Sequence, residues 1–272
     1  MKKLSSGILL LHFFLNTAAE DFTPPVDDAL ANCSVSIAGS SSVFSNPAGI
    51  SPEKHATGFL SAGNHYAIDN FNSAALAIVI PVTKNQATGI TFSRSGIPSL
   101  SRIQSGICYA IQVHPKISGG IRVNYERYTV NEHPELSGGV FTGEAGLLLE
   151  PLRNFRIGMD LRNPGQSSFS GHLKERSPAE LTVGIGRKFS DQVWLGIRAS
   201  KTSDQNPGVG FGVEYHPRVE FWIRFGESIG PMLTCFGFGY RLRNFSMDFA
   251  AQMHPDLGVT SSCSLIFQFP GQ

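Results

Sequence analysis

The chain has 272 residues, of which only 16% are charged, against roughly 25% in an ordinary soluble domain. With 22 Lys+Arg and 21 Asp+Glu its formal net charge is +1, so it has neither the electrostatic footprint of a nucleic-acid-binding protein nor a polybasic block for an anionic membrane surface. Its 29 glycines and 20 phenylalanines favour an all-β fold built from short apolar stretches over one built from long helices.

Residues 1–19 predict a secretory signal peptide. Lys2 and Lys3 precede an apolar run over residues 8–15, and Thr17-Ala18-Ala19 supply small residues at a cleavage site. The apolar run is shorter than the roughly 20 residues that a membrane-spanning helix needs. We therefore expect cleavage near Ala19 and a mature chain that works outside the cytoplasm.

Residues 20–54 are rich in Ser, Ala and Gly and are predicted to form a compact plug-like or periplasmic segment. Their end carries the turn motif Asn46-Pro47-Ala48-Gly49, in which proline fixes φ and glycine permits a positive φ. The lumen of a barrel of about 14 strands is wider than side chains alone can fill, so a segment folded inside it is physically reasonable. A disordered linker is the alternative interpretation.

Residues 55–272 alternate between apolar and polar side chains, which is the period-two pattern of β-strands. Turn residues divide this region into 14 segments, each close to the roughly 9 to 11 residues of a tilted transmembrane strand. The predicted strands cover 55–66, 72–82, 86–95, 100–113, 116–128, 138–150, 153–162, 178–188, 191–200, 207–215, 218–226, 231–241, 244–253 and 257–269.

The two phases of these strands predict which side faces lipid. One phase is continuously apolar, whereas the other mixes glycine with single charges, which suits the lumen of a membrane barrel better than the wet face of a soluble sandwich. The sequence therefore predicts a transmembrane antiparallel β-barrel of about 14 strands. The lipid-facing residues singled out are Phe221, Ile223, Phe245, Phe249, Leu265 and Phe267.

The connections between the strands alternate in length. Every second link is tight, as in Thr83-Lys84-Asn85 and Leu242-Arg243-Asn244, whereas the intervening links include the segment from Asn163 to Ser177. Short turns on one side and longer loops on the other are typical of outer-membrane barrels.

Charged residues of both signs occupy the glycine-containing phase and are predicted to form a polar network in the lumen. Charges are costly in a membrane protein unless they face water or a partner. Because no ring of one sign is present, we favour cross-bracing of the barrel and of the plug over the lining of a polar conduit. The predicted network comprises Arg122, Glu144, Arg156, Asp160, Arg198, Glu214, Arg224 and Asp248.

No catalytic or metal-binding motif is present, so we predict a protein that is not an enzyme and needs no cofactor or metal. Nucleophile-elbow, phosphate-loop and HExxH patterns are missing, and the four cysteines lack zinc-site spacing. The strand phases put Cys108 and Cys235 on the inner face and Cys263 on the outer face. Free thiols are favoured, although a disulfide remains an alternative in an oxidising compartment.

Three stretches carry a resemblance to a known family: AGSSSVFSNPAGI, GVEYHPRVEFWIRFG and the C-terminal FGFGYRLRNFSMDFAAQMHPDLGVTSSCSLIFQF. Together they resemble the PorV/PorQ-type outer-membrane proteins of Bacteroidetes, within the wider superfamily of the FadL fatty-acid transporter. The resemblance implies a 14-stranded barrel in the cell outer membrane and participation in systems such as type IX secretion. Short loops distinguish this chain from the larger relatives that capture cargo.

Two functions follow as hypotheses. The first is a non-enzymatic subunit or adaptor of a larger outer-membrane complex, serving protein secretion or envelope biogenesis, with outer-membrane lipid and other outer-membrane or periplasmic proteins as partners. The alternative is a FadL-like channel for hydrophobic small molecules. A third interpretation, an extracellular β-sandwich or barrel enzyme, requires a chain that is released in soluble form.

Overall fold

A computed structural model describes residues 22–170 and 176–270. The predicted signal peptide, residues 1–19, lies outside the described residues. The described chain begins with a short helix, α1 (Pro25–Ala29), and continues through three 3-10 turns, Cys33–Ser36, Ser40–Val43 and Pro47–Ile50. The strands that follow are β1 (Thr57–Asn64), β2 (Asn72–Thr83), β3 (Gln86–Gly96), β4 (Leu100–His114), β5 (Ile117–Val130), β6 (Gly138–Leu152), β7 (Phe155–Arg162), β8 (Glu180–Lys188), β9 (Val193–Thr202), β10 (Gly208–Arg218), β11 (Phe221–Ile229), β12 (Leu233–Leu242), β13 (Phe245–His254) and β14 (Gly258–Gln268). A further 3-10 turn, Pro134–Leu136, lies between β5 and β6.

The 14 strands form a closed barrel in which every strand pairs antiparallel with its sequence neighbours. Closure is made by β1 and β14, whose register runs from Thr57 opposite Gln268 to Asn64 opposite Ser261. The predicted fold class is therefore confirmed, and each observed strand begins and ends within a few residues of its predicted bounds. None of the helices in the described part of the chain has the length and apolar character needed to cross a bilayer.

The barrel has two different ends. Six tight connections, at residues 84–85, 115–116, 153–154, 189–192, 219–220 and 243–244, lie at the end where β1 starts and β14 finishes. We call this the turn end. The opposite end, the loop end, carries the longer connections, among them residues 65–71, 131–137 and 203–207.

Successive residues of each strand point alternately into and out of the barrel. On β2, for example, Ala75, Ala77 and Val79 are buried whereas Leu76 and Ile78 are exposed on the outer wall. The outer wall carries exposed aliphatic and aromatic side chains around the whole barrel, from Ile90 on β3 to Phe249 on β13. This apolar belt is the outer face that a lipid environment requires.

Residues 22–54, which we call the inner segment, lie inside the barrel. The helix α1 packs against β11–β14, the turn Cys33–Ser36 packs against β7–β10, and the turn Pro47–Ile50 packs against β3–β6. Most of residues 22–51 are buried even though they form little regular structure. The segment thus contacts inward side chains from most of the barrel circumference.

Inward glycines let the inner segment approach the wall closely. A Cβ atom added to Gly158 would lie 2.0 Å from the carbonyl oxygen of Val35, and one added to Gly120 would lie 2.5 Å from the backbone nitrogen of Ala48. No side chain fits at such distances, so the backbone of the segment lies directly on the strands. Several glycines in the charged phase of the sequence, Gly120 and Gly158 among them, therefore mark where the wall contacts the segment.

Candidate functional site: the barrel interior

One part of the interior is apolar and is formed by the inward faces of β14 and β1–β4 together with the inner segment. We call this the apolar sector. It is a single cluster of buried side chains: Phe22, Val43, Phe44, Ile50, Phe59, Ala75, Ala77, Val79, Ala87, Cys108 and Ala110, with Ile266 packed against them. It explains why residues 74–80 are apolar in both phases, because one phase faces the belt and the other faces the inner segment.

Three phenylalanine rings lie at the centre of the apolar sector. Phe44 is in contact with Phe22 and Phe59, with ring centroids 5.0 and 5.1 Å apart. Phe59 belongs to the wall, whereas Phe22 and Phe44 belong to the inner segment. Offset and edge-to-face contacts of this kind add roughly 0.5–1.5 kcal/mol to the burial of the rings themselves.

The remaining interior, formed by the inward faces of β5–β13, is the charged sector. Three of its arginines bind backbone carbonyls of the inner segment. Arg122 donates to the carbonyl oxygens of Val43 and Phe44, and Arg162 donates to the same Phe44 oxygen at 2.9 Å. Arg198 donates from Nε to the carbonyl oxygen of Ala31 at 2.6 Å and from Nη1 to Ser200 Oγ at 2.6 Å. These bonds satisfy carbonyl groups that the irregular backbone of the segment cannot pair internally.

A network of alternating charges surrounds Glu144. Its carboxylate accepts from Arg122 Nε at 3.1 Å and lies 3.6 Å from Arg162 Nε. Arg162 also donates to Asp160 Oδ2 at 3.1 Å. Breaking such a buried pair by removing one partner is costly because the other charge stays buried and unpaired.

A second network lies towards β11–β13. Arg224 donates to Glu214 Oε2 at 2.6 Å and to Asp248 Oδ1, which also accepts from Trp222 Nε1 at 2.8 Å. His216 Nε2 lies 2.7 Å from Glu214 Oε1. The single arginine on β11 is thus placed between two carboxylates and links β11 to β10 and, across β12, to β13.

A polar chamber of about 90 Å³ lies between the inner segment and the loop end. Phe22 and Phe44 form part of its lining, and Arg102, Glu126 and Glu180 are among the charged residues around it. Arg102 Nη2 lies 2.7 Å from Glu126 Oε2, so opposite charges compensate each other here as well. The volume suffices for about three water molecules at their volume in the liquid.

The predicted turn motif lies in the lumen against β6. Asn46 is fully buried, and its side-chain oxygen accepts from the backbone nitrogen of Ala48 at 3.1 Å. Its Nδ2 donates to Val35 O at 2.8 Å and to Leu147 O on β6 at 3.2 Å. Pro47, Ala48 and Gly49 form the 3-10 turn that Asn46 caps.

Asp27 is a buried acid on α1, in the inner segment and not on a spanning strand. Burial and, to a lesser extent, the neighbouring charge of Asp28 raise the pKa of its carboxyl to about 7 against the opposing effects of Ser34 and Arg162. Asp28, next to it, accepts a bond from Ser262 on β14 at 2.6 Å. Asp27 therefore changes its charge near neutral pH inside the barrel.

Seven of the eight residues predicted for the lumen network are buried or nearly so, and they lie in three places. Arg122, Glu144 and Asp160 belong to one network, Glu214, Arg224 and Asp248 belong to the other, and Arg198 contacts the inner segment by itself. Arg156 differs: it is half-exposed at the turn end and pairs with Glu150 at 2.9 Å. Strand phase gives the direction of a side chain but not its depth, so it did not separate Arg156 from the residues that lie deeper in the lumen.

Sequence reasoning missed several interior residues. Phe22, Phe44 and Asp27 lie in the irregular inner segment, where no periodicity shows which side chains turn towards the wall. Arg102 lies on β4 in the same phase as Cys108, so a strict application of strand phase would have found it.

The predicted outer-wall residues all point away from the lumen. Ile223, Phe245 and Phe249 are exposed, whereas Phe221, Leu265 and Phe267 are half-buried among neighbouring outer side chains. The rings of Phe245 and Phe267 pack on the outside with centroids 4.7 Å apart. Cys33, Cys108 and Cys235 are buried free thiols and Cys263 is exposed, as the strand phases predicted for the last three. Among the described residues, no group of His, Cys, Asp and Glu is arranged to hold a metal ion.

Comparison with solved structures identifies similar folds. The toluene transporter TodX of P. putida superposes with a TM-score of 0.72 at 11% identity, over 92% of this chain and 99% of that one. The toluene transporter TbuX of Ralstonia pickettii gives 0.66 at 14% identity over 91% and 98%, and a FadL homologue of Pseudomonas aeruginosa gives 0.70 at 12% over 93% and 100%. No protein-family model and no curated protein matches the sequence. At these identities the likeness shows the fold, a FadL-like barrel.

Proposed function

We propose that the chain is an outer-membrane β-barrel that admits hydrophobic small molecules from the loop end. The observation that carries this proposal is the aromatic group formed by Phe22, Phe44 and Phe59, two of whose rings border the chamber and all of which belong to the apolar sector. A small apolar molecule entering the chamber would meet aromatic side chains on this side. The similar folds of hydrocarbon transporters support the same proposal.

Passage along this route requires movement of the inner segment. Val43 and Ile50 are fully buried below the aromatic group, so the apolar sector is packed in the state described here. Phe22 and Phe44 are carried by irregular backbone and not by the hydrogen-bonded wall. A change in the position of the segment would therefore open the sector without breaking the barrel.

The test is uptake of radiolabelled toluene and of a long-chain fatty acid by outer-membrane-bearing cells that lack their own hydrocarbon channels. The intact chain should raise uptake of at least one probe severalfold above that of cells carrying an empty vector. The Phe44→Ala variant should change that rate, and Phe238→Ala, which removes a ring from the outer wall, should leave it unchanged. Uptake at the empty-vector rate for both probes, in cells shown to contain the folded barrel, would overturn the proposal.

The second candidate is a subunit or adaptor of a larger envelope complex, in keeping with the PorV/PorQ-type resemblance. Arg122, Arg162 and Arg198 hold the inner segment in place, which favours this candidate. A barrel whose lumen is filled by its own chain can bind partner proteins through its outer surfaces, but it has no open passage. Affinity purification in mild detergent separates the two candidates. Stoichiometric co-purification of a large envelope protein supports the adaptor, and a barrel isolated with bound apolar molecules supports the channel.

A further inference from the structure

The six turns of the turn end share a chemical pattern that the interior does not explain. Each turn carries an exposed lysine or arginine, and these cations are Lys84, Lys116, Arg153, Lys188, Arg218 and Arg243. Two exposed carboxylates, Asp191 and Glu220, lie in the same turns, so the cations outnumber them three to one. The ion pairs found at this end among the described residues, Arg156 with Glu150 and His216 with Glu214, involve none of the six.

Beside each of these cations lies an outward apolar side chain. These neighbours are 56 to 82% exposed, so they do not pack inside the barrel. They lie at the edge of the apolar belt that is next to the turn end. At the β8–β9 turn the guanidinium of Arg187 also lies over the ring of Phe189, 5.0 Å from its centroid. The apolar neighbours are Val82, Val113, Leu152, Phe189, Val219 and Leu242.

The loop end does not share this excess of cations. Among its described residues, five exposed carboxylates (Asp69, Glu132, Glu135, Asp204 and Asp256) accompany four exposed cations (Arg94, Arg127, Arg176 and Lys201). The excess of cations is therefore specific to the turn end. The six cations lie at all six hairpin turns of that end, in a chain whose net charge is only +1, and we call them the basic ring.

We propose that this basic ring binds the headgroups of anionic phospholipids in the leaflet next to the turn end. An apolar side chain beside a long cationic one suits the boundary of a membrane, since the first enters the hydrocarbon while the second reaches the phosphate. The ring continues the apolar belt without a gap and repeats at every hairpin, as expected for an annulus of lipid. A single protein partner would instead require a patch on one side.

Each lysine or arginine near an anionic surface contributes about 1 kcal/mol, which is about fivefold in affinity. The contribution is lost beyond a Debye length and falls with ionic strength. The inference rests on the barrel spanning a membrane, as in the proposed function, but does not depend on what the barrel transports.

The test compares lipids retained by the mature barrel after exposure to equal amounts of phosphatidylglycerol and phosphatidylcholine in mixed micelles. Bound lipids are counted by native mass spectrometry. The intact protein should retain phosphatidylglycerol in preference by about fivefold or more at low salt. The preference should fall when the salt concentration is raised to about 0.5 M, because screening weakens exposed charges.

Two variants with the same change in net charge locate the site. The turn variant replaces Lys84, Arg153, Arg218 and Arg243 by Gln, and the loop variant replaces Arg94, Arg127, Arg176 and Lys201 by Gln. The turn variant should lose most of the lipid preference and the loop variant should keep it. Heat-dependent gel migration checks that both barrels are folded.

Three outcomes would overturn the proposal: no preference in the intact protein, equal loss in both variants, or loss in the loop variant alone. If a variant fails to fold, the salt dependence of the intact protein still decides, because a preference unaffected by salt contradicts binding by exposed cations. A normal lipid preference without uptake of toluene or of the fatty acid would overturn only the proposed function. Normal uptake without a lipid preference would overturn only the proposed lipid binding by the basic ring. An acidic protein would then be the remaining candidate partner of the ring.

Discussion

The apolar sector and the charged sector both contact the inner segment, but they present different atoms to it. The apolar sector offers side chains to side chains, as in the contact between Phe59 and Phe44. The charged sector offers guanidinium groups to backbone carbonyls, as in the bond from Arg162 to Phe44. Phe44 is therefore held by its ring on one side and by its peptide on the other.

The difference predicts two kinds of response to mutation. In the apolar sector the loss of stability should grow with the amount of side chain removed, since burial and dispersion scale with the contact area that is lost. Buried ion pairs respond as units, because each member compensates another that cannot reach water. The two sectors should therefore differ in whether the effects of two substitutions on the free energy of unfolding add, and not only in the size of each effect.

The largest effect is expected in the charged sector. Arg122→Met should lower the free energy of unfolding by about 3–5 kcal/mol, because it leaves the Glu144 carboxylate short of a partner and frees two carbonyl groups of the inner segment. Urea unfolding in detergent micelles provides the measurement. The double variant Arg122→Met/Glu144→Gln should be more stable than the single one. If the double variant is less stable, the two residues do not act as a unit.

The next effect concerns Asp27 and pH. Because its pKa is about 7 in the folded chain and near 3.8 in the unfolded one, its carboxyl is protonated in both states below about pH 4. The contribution of Asp27 to stability should therefore decrease as pH rises from about 4 to about 7, by on the order of 4 kcal/mol. Unfolding midpoints at several pH values measure the slope. Asp27→Asn should flatten it, and an unchanged slope in that variant would assign the effect to other groups.

In the apolar sector, Phe59→Ala should cost about 3 kcal/mol through lost burial and a residual cavity. Phe59→Leu should cost about 1 kcal/mol, since most of the volume is kept. The graded pair is measured by the same urea unfolding. A loss as large for leucine as for alanine would mean that the ring acts through a specific contact, as the charged residues do.

The smallest effect is expected where the wall touches the backbone of the segment. Gly158→Ala should cost about 1–3 kcal/mol, because its Cβ would meet the carbonyl of Val35 and displace the segment. Gly143→Ala on the neighbouring strand is the matched control, since a Cβ there meets nothing within 4 Å. Proteolysis of the inner segment, together with unfolding, measures the displacement. Equal behaviour of the two variants would contradict close contact at Gly158.

Strand phase predicted the barrel and the two faces of its strands, but not how deep in the lumen each inward side chain lies. It placed Arg224 and Asp248 correctly on the inner face, yet it could not show that Trp222 also binds Asp248, because that contact depends on the register between strands. It grouped Arg156 with residues that lie deeper in the lumen. Nor could it place Phe22 or Phe44, whose backbone follows no period.

The sequence by itself determined the number of strands, their bounds and the two faces, because period-two alternation is a local property that survives in any window of a strand. Only the tertiary structure decided which inward residues meet the inner segment and which cations gather at one end. Lys84 and Arg243 are 159 positions apart in a chain of nearly zero net charge, and no local pattern relates them. Antiparallel pairing places every second turn at the same end, and the pairing of β14 with β1 brings the first and last of these turns into one circle.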